Sequence, residues 1–343
     1  MKILIICSTA FGGGAENSMQ TLHSELRLRG IPSNFLSLNK ALPIDKTVKL
    51  TEGQICFERE WNSGLKSLVS LIRKFNYLVK SQNPSHLIVN CELAELVVAL
   101  ASTRGVRIYC VEHTTQPWIR KRSLGFLVRL ILRAKNARWI AVYDTPSDHP
   151  LHQRNSKHIP NPISVPTTLA DKKQDFKRPK LLFAGRLTSE KRPQWCIEVA
   201  SDIGLKLEVF GQGPLLEDLK SLALKMRADI VFHGYVANFW EKVELSNSIL
   251  IAPSEYEGDG MVIAEAIMSG IPVLVSDNPD LRRFKLPENC YAKSIQDFKL
   301  KIREIINGNA SEYTAKELQR DKMAQTRSIE KICDTWVLEL KKS

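Results

Sequence analysis

The chain has 343 residues, of which 43% are hydrophobic and 25% are charged. This length suits two domains, and the composition excludes a disordered chain or a small disulfide scaffold. No apolar run reaches the roughly 18–20 residues of a membrane span, and the opening run of residues 2–7 is too short for a signal peptide, so we expect a cytoplasmic protein. The seven scattered cysteines favour reduced thiols over a zinc or redox site.

The positive charge is concentrated in the first half of the chain. Residues 1–165 contain 22 Lys and Arg against 11 Asp and Glu, whereas residues 166–343 contain 27 against 26. A basic half of this kind suits an anionic membrane surface, a nucleic acid or a phosphorylated substrate. Charge alone does not distinguish among these three kinds of partner.

The first half alternates short apolar runs with helical patterns. Residues 2–7 form an apolar run that ends in a glycine loop and is followed by a helical pattern, and further compact strands are predicted at His86–Asn90, Arg107–Val111 and Trp139–Val142. Such alternation predicts a parallel sheet covered by helices on both faces.

The densest basic stretch, residues 119–139, predicts an amphipathic helix. Its apolar residues recur at helical spacing, and three arginines fall together on another face; the apolar set is Leu124, Leu127, Leu130, Ile131 and Ala134, and the arginines are Arg122, Arg129 and Arg133. One interpretation is a helix docked on its own domain with its arginines in water. The other is a helix at a membrane surface.

A second alternating series follows a linker rich in Pro, Thr, Lys and Asp. Strands are predicted at Lys180–Ala184, Lys206–Phe210, Ile230–His233, Ser248–Ala252 and Ile271–Val275, and the last apolar residues predict an amphipathic helix. The expected organisation is an N-terminal domain over residues 1–163, a linker over 164–178, a C-terminal domain over 179–325 and a C-terminal helix over 326–343.

Ligands of open parallel sheets bind beyond the carboxyl ends of the strands, so the loops there carry the candidate chemistry. Gly12, Gly13 and Gly14 follow the first strand but do not complete a dinucleotide fingerprint. Arg186 and Lys191 flank a strand-to-helix turn and suit a diphosphate, although ordinary solvated charges would give the same pattern. The run Gly211–Pro214 permits either a tight turn or a close ligand.

The most informative loop is Pro253–Ala266. Glu257 precedes a predicted helix and Glu265 lies inside it, with Gly258 and Gly260 at the helix start. A phosphate can bind the amides of such a start while the carboxylates accept hydrogen bonds from sugar and ribose hydroxyls.

Together these motifs resemble family 4 retaining glycosyltransferases. The resemblance is carried by Phe183–Leu187 with Glu190 and Lys191, Gly211–Pro214, Phe232–Tyr235, Pro253–Gly258, Glu265–Ala266 and Gly270–Val273, and it extends to Gly12–Glu16, Glu112 with His113, and Ile159–Pro162. It covers most of the chain. It implies the GT-B fold, in which two Rossmann-like doubly wound domains face each other across a cleft, with the C-terminal helix packing back toward the N-terminal domain.

The resemblance also implies residue roles. Arg186 and Lys191 match positions that neutralise a donor diphosphate, Glu265 matches the ribose-binding carboxylate, and Glu257 and His113 match residues near the donor sugar. The implied catalytic set is His113, Arg186, Lys191 and Glu257, and the donor-binding set adds Gly13, Gly14, Gly258, Gly260, Met261, Val262 and Glu265. Two departures are Asp259, where relatives commonly have an aromatic or small residue, and Val142–Asp144, where a small residue and serine are common.

No cofactor and no metal are expected, because a nucleotide-sugar is a substrate and the chain has no Asp-x-Asp pair. The resemblance implies retention of configuration and a glycan or lipid-linked glycan acceptor. For the nucleotide of the donor we expect uridine diphosphate before guanosine diphosphate. For peripheral, salt-sensitive attachment without insertion at the inner face of the cell membrane, the candidates are Arg120, Lys121, Arg122, Arg129, Arg133 and Arg138.

Three alternatives remain. A nucleotide-sugar epimerase or a phosphorylase would use the same architecture without a lipid-linked acceptor. A nucleic-acid-binding protein would use the basic half but would leave the second series of motifs unexplained. A nicotinamide-dependent dehydrogenase is disfavoured by the incomplete glycine fingerprint.

Overall fold

The computed structural model describes residues 1–9, 13–39, 52–59, 64–114, 117–143, 156–163, 176–236 and 238–342, without the side chains of Leu65 and Arg120. The chain divides into two compact units. Unit 1 comprises residues 1–162 and 329–343, and unit 2 comprises residues 163–328.

Unit 1 is built on a parallel sheet of seven strands in the order β3-β2-β1-β4-β5-β6-β7. The strands are β1 Ile3–Cys7, β2 Ser33–Asn39, β3 Gln54–Arg59, β4 His86–Asn90, β5 Arg107–Glu112, β6 Arg138–Ala141 and β7 Lys157–His158. The helices are α1 Gly14–Leu28, α2 Leu65–Gln82, α3 Glu92–Leu100, α4 Arg122–Ala134 and, from the end of the chain, α11 Ile329–Lys341. β1 and β4 are buried throughout, as expected of parallel strands with helices on both faces.

Helices cover both faces of this sheet. One core holds side chains of α1 and α11, including the fully buried Trp336, and the other holds side chains of α2, α3 and α4. The Arg29 guanidinium in unit 1 pairs with the Asp334 carboxylate of α11. The C-terminal amphipathic helix therefore buries its apolar stripe against the first domain.

Unit 2 is built on a parallel sheet of six strands in the order β10-β9-β8-β11-β12-β13. The strands are β8 Lys180–Ala184, β9 Leu207–Phe210, β10 Ile230–Gly234, β11 Ser248–Ala252, β12 Val273–Ser276 and β13 Tyr291–Ala292. The helices are α5 Pro193–Ile203, α6 Leu216–Lys225, α7 Met261–Ser269, α8 Pro279–Arg282, α9 Ile295–Glu304 and α10 Glu317–Arg327. The expectation of two doubly wound α/β domains is confirmed.

Helix α4 packs against its own domain, but mainly through a different face from the apolar stripe that the sequence predicts. It buries Gly125, Val128, Arg129 and Leu132. Of the predicted apolar stripe, Leu124, Leu127 and Leu130 are 37%, 53% and 47% exposed and Ala134 is exposed, whereas Ile131 packs partly against the core. Gly125 permits the buried contact, because a Cβ there would lie 2.3 Å from the Trp118 ring. The sequence shows two apolar faces on this helix, and the one containing the glycine is buried.

The prediction that Arg129 contacts a membrane or acceptor is wrong. Its side chain is 1% exposed and is held by two buried carboxylates, with Nη2 2.9 Å from Oε1 of Glu95 and Nη1 paired with Glu112. The Trp118 indole also donates to Glu95 Oε2 over 2.6 Å. Arg129 is thus a core residue of unit 1, whereas Lys121, Arg122, Arg133 and Arg138 are exposed; the side chain of Arg120 lies outside the described residues.

Candidate functional site

In unit 2 the loops that follow β8 and β11 lie side by side, because these two strands are neighbours in the sheet. The Glu255 amide donates to the Glu190 carbonyl over 2.7 Å. The Lys191 ammonium lies 2.5 Å from Oε2 of Glu257, and both side chains are largely buried. The Ser254 hydroxyl donates to the same carboxylate oxygen over 3.2 Å. The structure therefore brings together Lys191 and Glu257, which are 66 residues apart in sequence.

Arg186 belongs to the same loop but is held differently. Its side chain is 65% exposed, and its Nη2 lies 3.9 Å from Oε1 of Glu190, which is too long for a hydrogen bond. A guanidinium in this setting has lost little hydration and keeps donors directed to solvent. The loop thus presents one exposed guanidinium beside one partly buried ammonium that is already neutralised by a carboxylate.

The glycines after β9 make close backbone contacts, a role that the sequence could not distinguish from ligand binding. The Gly185 amide donates to the Phe210 carbonyl and the Leu187 amide to the Gln212 carbonyl, each over 2.9 Å. A Cβ on Gly211, whose φ is +145°, would lie 1.8 Å from the Gly185 carbonyl oxygen. The run from Gly211 to Pro214 therefore packs directly on the backbone of the Arg186 loop and fixes its path.

Helix α7 begins at this edge of the sheet. Gly260 precedes it with φ of +64°, and a Cβ there would lie 2.8 Å from Phe284 Cζ. Among the residues that the structure describes, no side chain caps the helix start, so its amides and the positive end of its dipole are not neutralised by a capping group there. Met261 and Val262 form the first turn and are partly buried, and Gly258 lies in the loop before it.

Glu265 lies one turn into α7 with an altered acidity. The Trp240 indole donates to its Oε2 over 2.7 Å. Burial raises the pKa of the Glu265 carboxyl to about 7, and the hydrogen bond from Trp240 only partly opposes this effect. Near neutral pH the group is therefore divided between a neutral acid and a carboxylate, and a hydroxyl donor would favour the carboxylate.

We expect Glu265→Gln to alter the pH dependence of unfolding. Because the pKa of Glu265 is raised in the folded protein, its contribution to stability is complete below its unfolded value and is lost as pH rises through about 7. Gln keeps an acceptor for Trp240 and has no charge to bury, so the variant should gain stability relative to the parent from pH 5 to pH 8. Urea titrations across this range measure the difference, and a constant difference would contradict the raised pKa.

Several residues that support the Glu257 loop were not predicted. The Glu257 amide donates to Asp280 Oδ2 over 3.0 Å, and the Asn278 amide group donates to the Ser254 carbonyl over 3.0 Å. The Arg283 guanidinium donates to the Gly258 carbonyl. These residues belong to α8 and its flanks, where no local sequence pattern connects them with the preceding loop.

Asp259, the residue that departs from the family pattern, has a partner in the structure. Its carboxylate pairs with the Arg327 guanidinium at the end of α10, and both side chains are buried. The Arg327 carbonyl in turn accepts the amide of Ile163, the first residue of unit 2. Asp259 therefore ties the loop before α7 to the place where the chain leaves unit 2.

Unit 1 places a second group of predicted residues at the carboxyl edge of its own sheet. Gly13 and Gly14 begin α1, and His113 follows β5. The Ser18 hydroxyl donates to Asn161 Oδ1 over 2.6 Å, and Asn161 Nδ2 lies 3.4 Å from His113 Nδ1. Gly12 falls outside the described residues.

His113 is a neutral imidazole with an unused nitrogen. Burial lowers its pKa to about 4. Its Nε2 is buried and has no hydrogen-bond partner among the residues that the structure describes. This arrangement fits a histidine that hydrogen-bonds a ligand rather than one that carries charge at neutral pH.

At the other departure, Tyr143 anchors the segment that contains His113. Its hydroxyl donates to the Thr114 carbonyl over 2.8 Å. Asp144 lies outside the described residues. Within the described ranges, no group of three or more His, Cys, Asp and Glu side chains is arranged to hold a metal ion, and no helix has the length and apolar character to cross a membrane.

Comparison with known families identifies the segment that carries these loops. Residues 166–323 match the family model described as glycosyl transferases group 1. This segment is therefore similar to glycosyl transferases group 1. The matched segment, called here the group 1 domain, contains Arg186, Lys191, Glu257 and Glu265 together with the Asp259 loop.

Curated relatives match over shorter stretches. The chain is 35% identical over 103 residues to an uncharacterized glycosyltransferase of Methanocaldococcus jannaschii, covering 28% of this chain and 26% of that protein. It is 39% identical over 99 residues to the O-antigen biosynthesis glycosyltransferase WbnH of Escherichia coli, covering 29% and 28%. The chain thus spans little more than a quarter of the length of these relatives.

Solved structures match over the whole length. The structure of HepE from Anabaena in complex with UDP and glucose has a TM-score of 0.76 at 17% identity, covering 99% of both chains. At this identity the match concerns the fold, which is the two-domain GT-B fold of glycosyltransferases.

Proposed function

We propose that the protein is a retaining, metal-independent glycosyltransferase that transfers a sugar from a nucleotide-diphosphate donor, UDP before GDP, to a glycan or lipid-linked glycan acceptor. The observation that carries the proposal is the arrangement in the group 1 domain of Lys191 against Glu257, beside the uncapped start of α7 and the partly buried Glu265. The O-antigen function in the name of WbnH supports a role in cell-surface polysaccharide or glycoconjugate synthesis.

The proposed chemistry follows from where charge develops. Cleavage of the bond between the anomeric carbon and the phosphate oxygen leaves negative charge on the diphosphate. Arg186, Lys191 and the amides at the start of α7 stabilise that charge as it forms, so these groups supply what a metal ion supplies elsewhere. The acceptor hydroxyl attacks the same face of the sugar, and its proton passes to the leaving phosphate, so no protein nucleophile is needed.

The two glutamates bind hydroxyl groups in this proposal. Glu257 accepts from the donor sugar once Lys191 turns toward the diphosphate, and Glu265 accepts from the ribose. A ribose hydroxyl that donates to Glu265 stabilises its carboxylate form, so donor binding should lower the raised pKa of this group. Each carboxylate thus has a partner that the anionic diphosphate cannot replace.

Unit 1 takes the acceptor in this proposal. Its exposed basic residues, Lys121, Arg122, Arg133 and Arg138, give it a surface suited to an anionic acceptor or to the inner face of the cell membrane. His113 is a neutral imidazole whose Nε2 has no partner among the described residues, so it is suited to accept or donate a hydrogen bond to a ligand of this unit.

Calorimetry with UDP, GDP and their sugars, with and without EDTA, tests the proposal. We expect one nucleotide-sugar to bind equally well in EDTA, and Arg186→Ala and Glu265→Ala each to weaken binding at least tenfold. The matched control is Arg303→Ala, which removes an exposed arginine of α9 and should leave binding unchanged.

The competing functions give different results in the same preparation. An epimerase would convert the nucleotide-sugar without an acceptor, and a phosphorylase would release a sugar phosphate when supplied with phosphate. Failure to bind any nucleotide, with tight binding to nucleic acid, would overturn the proposal.

A further inference from the structure

The outer face of α4 is an exposed apolar surface that the proposed transfer reaction does not use. Leu124, Phe126, Leu127 and Leu130, called here the α4 outer face, are 37%, 44%, 53% and 47% exposed. Ile119, in the preceding turn, is 43% exposed. Residues spaced three or four apart on a helix are neighbours, so these four side chains form one continuous stripe.

The stripe is exposed although α4 already packs against unit 1 through its other side. The opposite side of α4 is packed through Val128, Leu132 and the buried Arg129, so the helix is already anchored to unit 1. A helix that is apolar on both sides is normally covered on both sides. The outer face therefore needs an occupant other than the domain core.

The charges around the outer face indicate what that occupant is. Arg122 precedes the stripe and Arg133 follows it, and Lys121 lies in the turn before the helix; all three are exposed. Residues 113–143 contain no Asp or Glu. The exposed Glu92 of α3 also lies at the N-terminal end of the stripe, where its carboxylate accepts the Trp118 amide over 2.7 Å. An apolar stripe bordered by three cations and one such carboxylate complements the interface of an anionic bilayer, where acyl chains lie beneath phosphate groups.

Helix α2, which packs against α3 on the same side of the sheet, has a similar charge pattern. α2 shares the apolar core of α3 and α4. It exposes Lys66, Arg73, Lys74 and Lys80, and residues 61–91 contain no acidic side chain. α3, in the same layer, has no Lys or Arg and exposes Glu92, so the cationic surface of this layer belongs to α2 and α4.

We propose that the α4 outer face inserts into the acyl region of an anionic lipid membrane, with Lys121, Arg122 and Arg133 bound to lipid phosphates. This replaces attachment by charge alone, because the apolar stripe is exposed together with Lys121, Arg122 and Arg133. The inference requires no nucleotide or acceptor, so its test stands apart from that of the proposed transferase activity.

Flotation of the full chain with vesicles of phosphatidylglycerol and phosphatidylcholine, against phosphatidylcholine alone, tests the proposal. We expect strong preference for the anionic vesicles and residual binding in 1 M salt, where the screening length is only about 3 Å. Phe126→Gln with Leu130→Gln should weaken binding roughly 50-fold, since each half-exposed side chain contributes about fivefold to tenfold when buried. Gln preserves helix propensity and the parent side chains are exposed, so folding should be retained.

The matched control is Leu224→Gln with Leu318→Gln, which removes two leucines of unit 2 that are 80% and 81% exposed. It should bind vesicles as the parent does. The proposal is overturned if the α4 variant also binds as the parent does, if 1 M salt releases all bound protein, or if anionic and neutral vesicles bind equally. One further result overturns it, namely a parent protein that is dimeric and does not bind vesicles, with an α4 variant that is monomeric. The outer face would then bind a second copy of the chain.

Discussion

We expect Lys191→Ala to lower kcat for sugar transfer by about 10³, with a smaller rise in KM for the donor. An electrostatic donor directed at charge that develops in the transition state contributes about 10²–10³ to kcat. Lys191 lies against Glu257 in a largely buried setting, 17% and 13% exposed, where water screens its charge less than at the surface. Steady-state kinetics with the identified donor measures the effect.

The Lys191–Glu257 pair requires a second variant to interpret this result. Lys191→Ala alone leaves the Glu257 carboxylate without its cation, and a loss of folded protein would imitate a loss of catalysis. The double variant Lys191→Ala with Glu257→Gln removes both charges and should recover the thermal stability of the parent while kcat remains low. Recovery of kcat in the double variant would show instead that Lys191 serves only as the counter-ion of Glu257.

The loops of the candidate site could be located from sequence because each one follows a buried parallel strand. The apolar runs that become β8 and β11 are short and continuous, and parallel neighbours bring their carboxyl ends together. The fold alone therefore predicts that Lys191 and Glu257 lie at the same edge of the sheet. Their ion pair could not be predicted, because it depends on the side-chain geometry of two loops.

Supporting residues escaped prediction for a different reason. Trp240, Asp280 and Arg283 each contact the site through one hydrogen bond to a partner 23–25 residues away, and nothing in their own neighbourhoods marks them. The sequence shows the glycines at 211 and 213 but not their role. A close backbone contact and a close ligand both require glycine, so the residue type does not distinguish them.

The orientation of α4 shows where periodicity alone is insufficient. Both of its faces carry apolar side chains, so the hydrophobic pattern does not decide which side is buried. That choice depends on Gly125 fitting against Trp118 and on Arg129 meeting Glu95 and Glu112, which are 34 and 17 residues away in sequence. An arginine in a basic segment is ordinarily solvated, and only the tertiary structure shows that this one is paired inside the domain.

Arg129→Leu should therefore act on folding and not on membrane attachment. Removing one partner of a buried ion pair leaves uncompensated charge and costs about 3–5 kcal/mol, and here two carboxylates with side chains 4% and 0% exposed lose the same cation. Arg133→Leu, which removes an exposed arginine one turn further along α4, is the matched control and should change the free energy of unfolding by less than about 0.5 kcal/mol.

The pH dependence of the stability of Arg129→Leu distinguishes the loss of charge pairing from a simple packing defect. Burial already raises the pKa of Glu95 in the parent, with Arg129 opposing the effect, so the variant should raise it further. The folded variant then retains a proton that the unfolded chain releases above its ordinary carboxyl pKa, and its stability falls as pH rises from about 4.3. The deficit relative to the parent should be small near pH 5 and largest above pH 7. Urea unfolding of both proteins at these pH values measures the deficit. A deficit independent of pH would show that lost packing, rather than the two buried carboxylates that lose Arg129, explains the change.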